Sequence, residues 1–173
     1  MADDFSVKAK DASGALIKKF SASGRTLALA ESCTAGLVSQ LLAGTPGASA
    51  VLWGSFVCYS PEAKTAMLGI EKEKIAAFGL VSGETAQLMA CGALEKSGAD
   101  IAAAVTGLAG PEGDGSAVPV GTVWVAAACK NRSETGELFE EAKKFNFSGS
   151  RNEVRLQAAI AVLELLDIIF EKK

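Results

Sequence analysis

The 173-residue sequence predicts an α/β fold, a three-layer α/β/α single domain on a mixed, mostly parallel sheet. Three observations point there. Short runs of buried-strand character alternate with helical periodicity, the pattern of parallel strands joined by covering helices. The last two strand-like runs follow one another without a helix between them, which adds a hairpin and makes the sheet mixed. The length suits one core over residues 1–173, and 49% hydrophobic with 21% charged residues is the composition of an ordinary globular chain rather than a disordered, collagenous or coiled-coil one.

From Asp4 to Ser23, the apolar positions Phe5, Val7, Ala12, Leu16, Ile17 and Phe20 recur near the helical period, and Gly24 ends the segment. Thr26 to Ala30 is a short buried strand that runs into Glu31-Ser32-Cys33-Thr34-Ala35-Gly36 and then a periodic apolar stretch to Leu42, hence strand, tight turn, helix. After the loop Gly44-Thr45-Pro46-Gly47, Val51 to Tyr59 is rich in β-branched and aromatic residues and reads as a second strand. Ser60 caps a helix with Pro61 at its first position, so Lys64 falls in the first turn or just beyond it. Ser82 with Glu84 caps a longer helix to Leu94, followed by a strand from Ile101 to Val105. Thr106 to Gly115 is too dense in glycine for regular structure; Gly121 to Ala128 and Leu138 to Phe147 form the hairpin; Ser148-Gly149-Ser150-Arg151 opens a final helix to Phe170.

Several function classes drop out. A net charge of -3 with dispersed lysines and arginines offers no field for nucleic-acid phosphates. The start Met1-Ala2-Asp3-Asp4 has no signal-peptide pattern and no apolar run is long enough for a membrane span, so the expected compartment is the cytoplasm, without an anchor. Cys33, Cys58, Cys91 and Cys129 form no C-x-x-C motif and read as reduced thiols. The chain contains no histidine, which removes the Ser-His-Asp triad, the Cys-His pair and any His-ligated zinc. A hydrolase here needs another base.

Four stretches could carry chemistry. At the turn Glu31 to Gly36, a helix start beside a strand end offers unpaired N–H groups for an anion, and Ser32 is either a nucleophile there or, with Thr34, a helix cap. Lys64, near a helix start, sits at the wrong end of the helix dipole for its charge; a neutral amine can deprotonate a serine, while a solvated surface lysine cannot. The loop Thr106 to Gly115 lacks both the Walker and the dinucleotide spacing, so it is either an anion-binding backbone or a plain surface loop. Arg151, beside the N–H groups of the last helix, is either a phosphate ligand or a surface arginine.

Taken together, Ala30-Glu31-Ser32-Cys33-Thr34-Ala35-Gly36, Gly54-Ser55-Phe56-Val57-Cys58-Tyr59-Ser60-Pro61-Glu62-Ala63-Lys64, Thr106-Gly107-Leu108-Ala109-Gly110-Pro111-Glu112-Gly113 and Pro119-Val120-Gly121-Thr122-Val123-Trp124 resemble the C-terminal domain of the competence-damage-inducible CinA proteins, the family that includes stand-alone nicotinamide mononucleotide (NMN) deamidases. The resemblance covers nearly the whole chain. It implies hydrolysis of the carboxamide of NMN to nicotinic acid mononucleotide and ammonia by a Ser-Lys pair, without metal or cofactor, in pyridine nucleotide recycling. Ser32 matches the family's serine and Lys64 its lysine. Glu31, Thr34, Tyr59 and Thr106 are expected to line the pocket, Gly107 to lie near the oxyanion or substrate, and Arg151 to meet the phosphate. Larger members carry a further N-terminal domain resembling molybdopterin-binding proteins; 173 residues leave no room for it, so the stand-alone form is expected. A homo-oligomer is expected. Two departures from the family pattern stand out: Ala35 replaces the first glycine of a usual pair, and Ser150 precedes Arg151 where an acidic residue is common. The rival function is a non-catalytic nucleotide-binding or regulatory module of the same fold.

Overall fold

A computed structural model describes residues 2–130 and 138–171. Helices α1 (Ala2–Ser23), α2 (Leu37–Ala43), α3 (Pro61–Leu68), α4 (Lys72–Phe78), α5 (Gly83–Ser97) and α6 (Arg151–Glu171) surround one sheet made of β1 (Leu27–Glu31), β2 (Leu52–Val57), β3 (Ile101–Gly107), β4 (Thr122–Lys130) and β5 (Leu138–Asn146). The strand order is β2-β1-β3-β4-β5. The β2-β1-β3 ladders are parallel and the β3-β4-β5 ladders antiparallel, so β4 alone runs against the other four strands.

Period-2 alternation sorts the sheet into two unlike faces. One carries Leu27, Leu29, Ile101, Val105, Val123 and Val125 and is buried beneath α1, α2 and α6, with Leu16, Phe20, Leu42 and Leu166 filling the space between. The other is paved with alanine: Ala28 and Ala30 pair with Ala102 and Ala104, which pair in turn with Ala128 and Ala126. So small a surface lets α5 lie close, and α5 answers with Ala86, Met89, Ala90 and Ala93. Close approach also explains Gly92, where a Cβ would sit 2.6 Å from the carbonyl oxygen of Leu68 at the end of α3.

The three-layer expectation holds, with two differences. Helix α4 was not anticipated: its seven residues bury only Ile75, too little for a periodic signal, although Gly69 and Gly79, both at positive φ, bracket the segment. The cap of α2 also differs: the helix begins at Leu37, directly after the turn as read, but Gly36 rather than Ser32 or Thr34 is its cap. The link between the hairpin strands, residues 131–137, lies outside the described residues. Among the described residues no helix is long and apolar enough to cross a membrane.

From β1 the chain goes through α2 to β2 on one side; from β3 it goes to β4 on the other. The carboxyl ends of β1 and β3 are therefore the point where the winding reverses, the usual place for a ligand in an open α/β sheet.

Candidate active site

Ser32 follows the last residue of β1, and its N–H donates to the Val105 carbonyl (3.0 Å), stitching the turn to β3. From the neighbouring strand, Cys58 N–H donates to the Glu31 carbonyl (2.9 Å). Ser60 then caps α3 by accepting from the N–H of Ala63 (3.1 Å), with Pro61 at the first helical position. That cap swings Lys64 inward. Its side chain is 1% exposed, with Nζ 2.9 Å from Ser32 Oγ and donating to the Cys58 carbonyl at 2.8 Å.

Burial lowers the Lys64 pKa from the usual lysine value. Among the described residues no carboxylate pairs with it; the charges that act on it are those that Cys58 and Cys33 would carry as thiolates. Those thiols stay protonated, since burial pushes Cys33 up to about 12 and raises Cys58 as well. A buried amine with no opposing charge loses its proton readily. Desolvation, which the sequence reading set beside the helix dipole, is the leading cause.

Ser32 and Lys64 open into a cavity of about 210 Å³, also lined by Cys33, Tyr59, Leu80, Val81, Thr106, Gly107, Leu108 and Asp114. Thr106 Oγ1 donates to the Leu80 carbonyl (2.7 Å), which ties the wall from α5's approach to β3. Gly107 is glycine for steric reasons: a Cβ would lie 2.8 Å from both Thr122 O and Val123 Cγ2. Tyr59 is exposed at the rim, where its hydroxyl accepts from Arg151 Nη2 (2.7 Å) while Nη1 donates to the Gly110 carbonyl (2.6 Å). Arg151 thus pins the glycine-rich loop to the cavity mouth. A neighbouring concavity of about 410 Å³ shares Leu80 and contains none of the residues expected from sequence.

Ser32, Lys64, Tyr59, Thr106 and Gly107 are brought together as expected, with Arg151 beside them through Tyr59. The side chains of Glu31 and Thr34 turn away from the cavity toward each other and α2, which corrects the expectation for both. Glu31 is 1% exposed and its carboxylate turns toward α2: Oε2 accepts from Thr34 Oγ1 (2.9 Å), Gly36 N (2.9 Å) and Val38 N (3.0 Å), and Oε1 from Ser39 N (2.9 Å) and Ser55 Oγ (3.1 Å). The N–H groups of that helix start, expected to be open to an anion, are consumed by Glu31. The same holds at α6, where Glu153 Oε2 accepts from both N and Oγ of Ser150 (2.8 and 2.7 Å). An incoming phosphate there would meet a carboxylate already in place.

Two residues escaped the sequence reading. Asp114 is, among the described residues, the carboxylate on the cavity wall, and hydrogen bonds from Ser116 hold it below the usual carboxylate range. Arg155 donates from Nε to the Cys33 carbonyl (3.2 Å) and from Nη2 to the Thr34 carbonyl (2.7 Å). Its position four residues after Arg151, on the same helix face, was the available signal. Among the described residues no group of three or more metal-ligating side chains is assembled.

Residues 9–170 match the CinA C-terminal domain family. A CinA-like protein of Geotalea daltonii is 44% identical over 147 residues, which is 85% of this chain and 34% of that protein. The chain spans about a third of the length of such curated relatives. Among solved structures, the competence/damage inducible protein CihA from Agrobacterium tumefaciens superposes with a TM-score of 0.84 at 36% identity, covering 95% of this chain and 96% of that one. A CinA superfamily protein from Klebsiella pneumoniae gives 0.87 at 31% identity over 95% and 99%.

Proposed function

The chain belongs to the CinA C-terminal domain family, and from that premise we propose that it is a Ser-Lys amidohydrolase that deamidates NMN to nicotinic acid mononucleotide and ammonia. One observation carries the reading: the buried Lys64 amine lies 2.9 Å from Ser32 Oγ, and among the described residues no carboxylate pairs with it.

Neutral Lys64 takes the hydroxyl proton of Ser32 as Oγ bonds to the carboxamide carbon. The carbonyl electron pair moves onto oxygen, and backbone N–H groups of the turn stabilise that oxyanion. When the pair returns, the C–N bond breaks, Lys64 delivers its proton to the departing nitrogen, and ammonia leaves. Water then attacks the acyl ester with Lys64 again as base; the C–Oγ bond breaks, the proton returns to Ser32, and the carboxylate product is released.

The wall chemistry supports a nicotinamide nucleotide as substrate. Leu80, Val81, Leu108 and Tyr59 offer apolar surface for a flat heteroaromatic ring, and Asp114 supplies a negative charge that suits its N-substituted pyridinium nitrogen. Arg151 at the rim is the candidate for the phosphate, through the guanidinium edge left by Tyr59 and Gly110.

The test follows ammonia release from NMN for the parent protein, Ser32→Ala and Lys64→Ala. Release by the parent and its loss in both variants are expected. A parent that binds NMN without turnover would instead mark a nucleotide-binding module, and a fully active Ser32→Ala would remove the assigned nucleophile.

A further inference from the structure

The oxyanion formed on Ser32 needs donors, and the obvious ones are taken. The N–H of Ser32 is bound to Val105 O, that of Ala35 to Ser32 O, and those of Gly36, Val38 and Ser39 to Glu31. Among the described residues, the N–H groups of Cys33 and Thr34 are the two in this turn with no acceptor in another residue. They are also the groups that immediately follow the nucleophile, where acyl-transfer enzymes commonly place such donors.

What aims them is the orientation of their peptide planes. In a trans peptide the N–H points opposite to the carbonyl it is bonded to. The Ser32 carbonyl, partner of the Cys33 N–H, is held by Ala35 N (3.0 Å). The Cys33 carbonyl, partner of the Thr34 N–H, is held by Arg155 Nε, and the next carbonyl, that of Thr34, by Arg155 Nη2. One rigid guanidinium therefore fixes two consecutive peptides from the α6 side and turns the Thr34 N–H away from α6. Its third contact is to a neutral acceptor, Asn152 Oδ1 (3.2 Å from Nη1), and among the described residues it makes no ion pair. A positive charge stands unneutralised behind the peptide that would receive the negative one.

We infer that Arg155 is a positioning residue for acyl transfer, holding the Cys33–Thr34 peptide so that the N–H groups of Cys33 and Thr34 form the oxyanion site. The inference rests on the Ser32 nucleophile proposed above. It deepens that assignment by naming what orients the turn. Lysine is a poor replacement, because its single nitrogen lacks the planar fork in which Nε and Nη2 each meet one carbonyl in a fixed direction.

The experiment has two readouts, ammonia release from NMN and the rate at which an alkyl fluorophosphonate labels Ser32, whose adduct also places an oxygen in the oxyanion site. For Arg155→Ala, kcat and the labelling rate fall about 100-fold, the scale of one lost oxyanion donor, while KM stays within about threefold. Millimolar guanidinium restores activity to Arg155→Ala and leaves the parent unchanged, and Arg155→Lys remains impaired although folded. A loss confined to KM, labelling of folded Arg155→Ala at the parent rate, or no rescue by guanidinium would overturn the role of Arg155. A parent that neither releases ammonia nor is labelled at Ser32 would overturn the underlying reading instead.

Discussion

A buried carboxylate and a buried amine adjoin Ser32, Glu31 in sequence and Lys64 in space, and each residue is 1% exposed. Glu31 is surrounded by five donors, three of them backbone N–H groups of the α2 start. Lys64 has two neutral acceptors and no opposing charge. Equal burial therefore has opposite consequences. A carboxylate met by that many fixed dipoles is at rest and organises the turn, whereas an amine left without counter-charge is ready to give up its proton and act on the neighbouring hydroxyl. The proposed mechanism draws on the under-satisfied group, and the architecture of the turn on the satisfied one.

The largest effect separating them is Lys64→Met, which keeps the length of the side chain and deletes the base. Ammonia release from NMN is expected to fall by at least about 10³-fold, the scale of losing the proton acceptor of a serine hydrolase, with a melting temperature close to that of the parent. Glu31→Gln should do the reverse. Replacing a carboxylate oxygen by an NH2 sets donor against donor within the α2 start, at a cost of about 3 kcal/mol or a Tm drop of roughly 10 °C. The folded fraction should retain the parent's KM for NMN. An unchanged Tm with a raised KM would return Glu31 to the substrate pocket.

Much of this was legible in the chain and some was not, for identifiable reasons. Continuous apolar runs in β1, β3 and β4 announce the sheet because burial on both faces leaves no polar alternation, and the caps Ser60 and Ser82 are local chemistry that spacing reveals. The absence of histidine confined a serine hydrolase to another base, and the resemblance to the CinA family singled out Ser32 and Lys64 as the candidate pair. Direction was out of reach. Motif membership places Glu31 and Thr34 near Ser32 but does not say that both turn toward α2, since a carboxylate reaching N–H groups up to eight residues ahead leaves no periodic trace. Arg155 lies more than 120 residues from the carbonyls it holds, a separation only the packing of α6 closes.

A smaller effect tests the Lys64 half of the comparison by pH. Because the folded-state pKa of Lys64 is lowered, the native protein loses that proton before the unfolded chain does. Between the two pKa values, the upper near ~10.4, the unfolded state binds more protons, so stability rises with pH by up to about 1.4 kcal/mol per unit relative to Lys64→Met. The rate of ammonia release falls as pH drops through the same lowered pKa, since protonated Lys64 has no lone pair. Parallel Tm and kcat/KM profiles check both; a flat Tm difference between parent and Lys64→Met would mean that Lys64 keeps its ordinary pKa.

The smallest effect concerns how firmly Glu31 dictates the turn. Ala35 has φ of 51°, and among the described residues it is the only non-glycine at positive φ. Ala35 is exposed rather than packed against a neighbouring element. The cost is torsional, roughly 1–2 kcal/mol for an L-residue in the left-handed region, against about 0.5–1 kcal/mol of extra chain entropy that glycine loses on folding. Ala35→Gly should therefore raise stability by about 0.5–1 kcal/mol, a Tm gain of a few degrees, without changing kcat. If the bonds from Gly36, Val38 and Ser39 to Glu31 are what force Ala35 into that region, the gain shrinks in a Glu31→Gln background, where the turn is free to relax. A double-mutant cycle reads this directly: coupling assigns the turn's geometry to Glu31, and strict additivity would transfer that role to the Arg155 contacts on the carbonyls of Cys33 and Thr34.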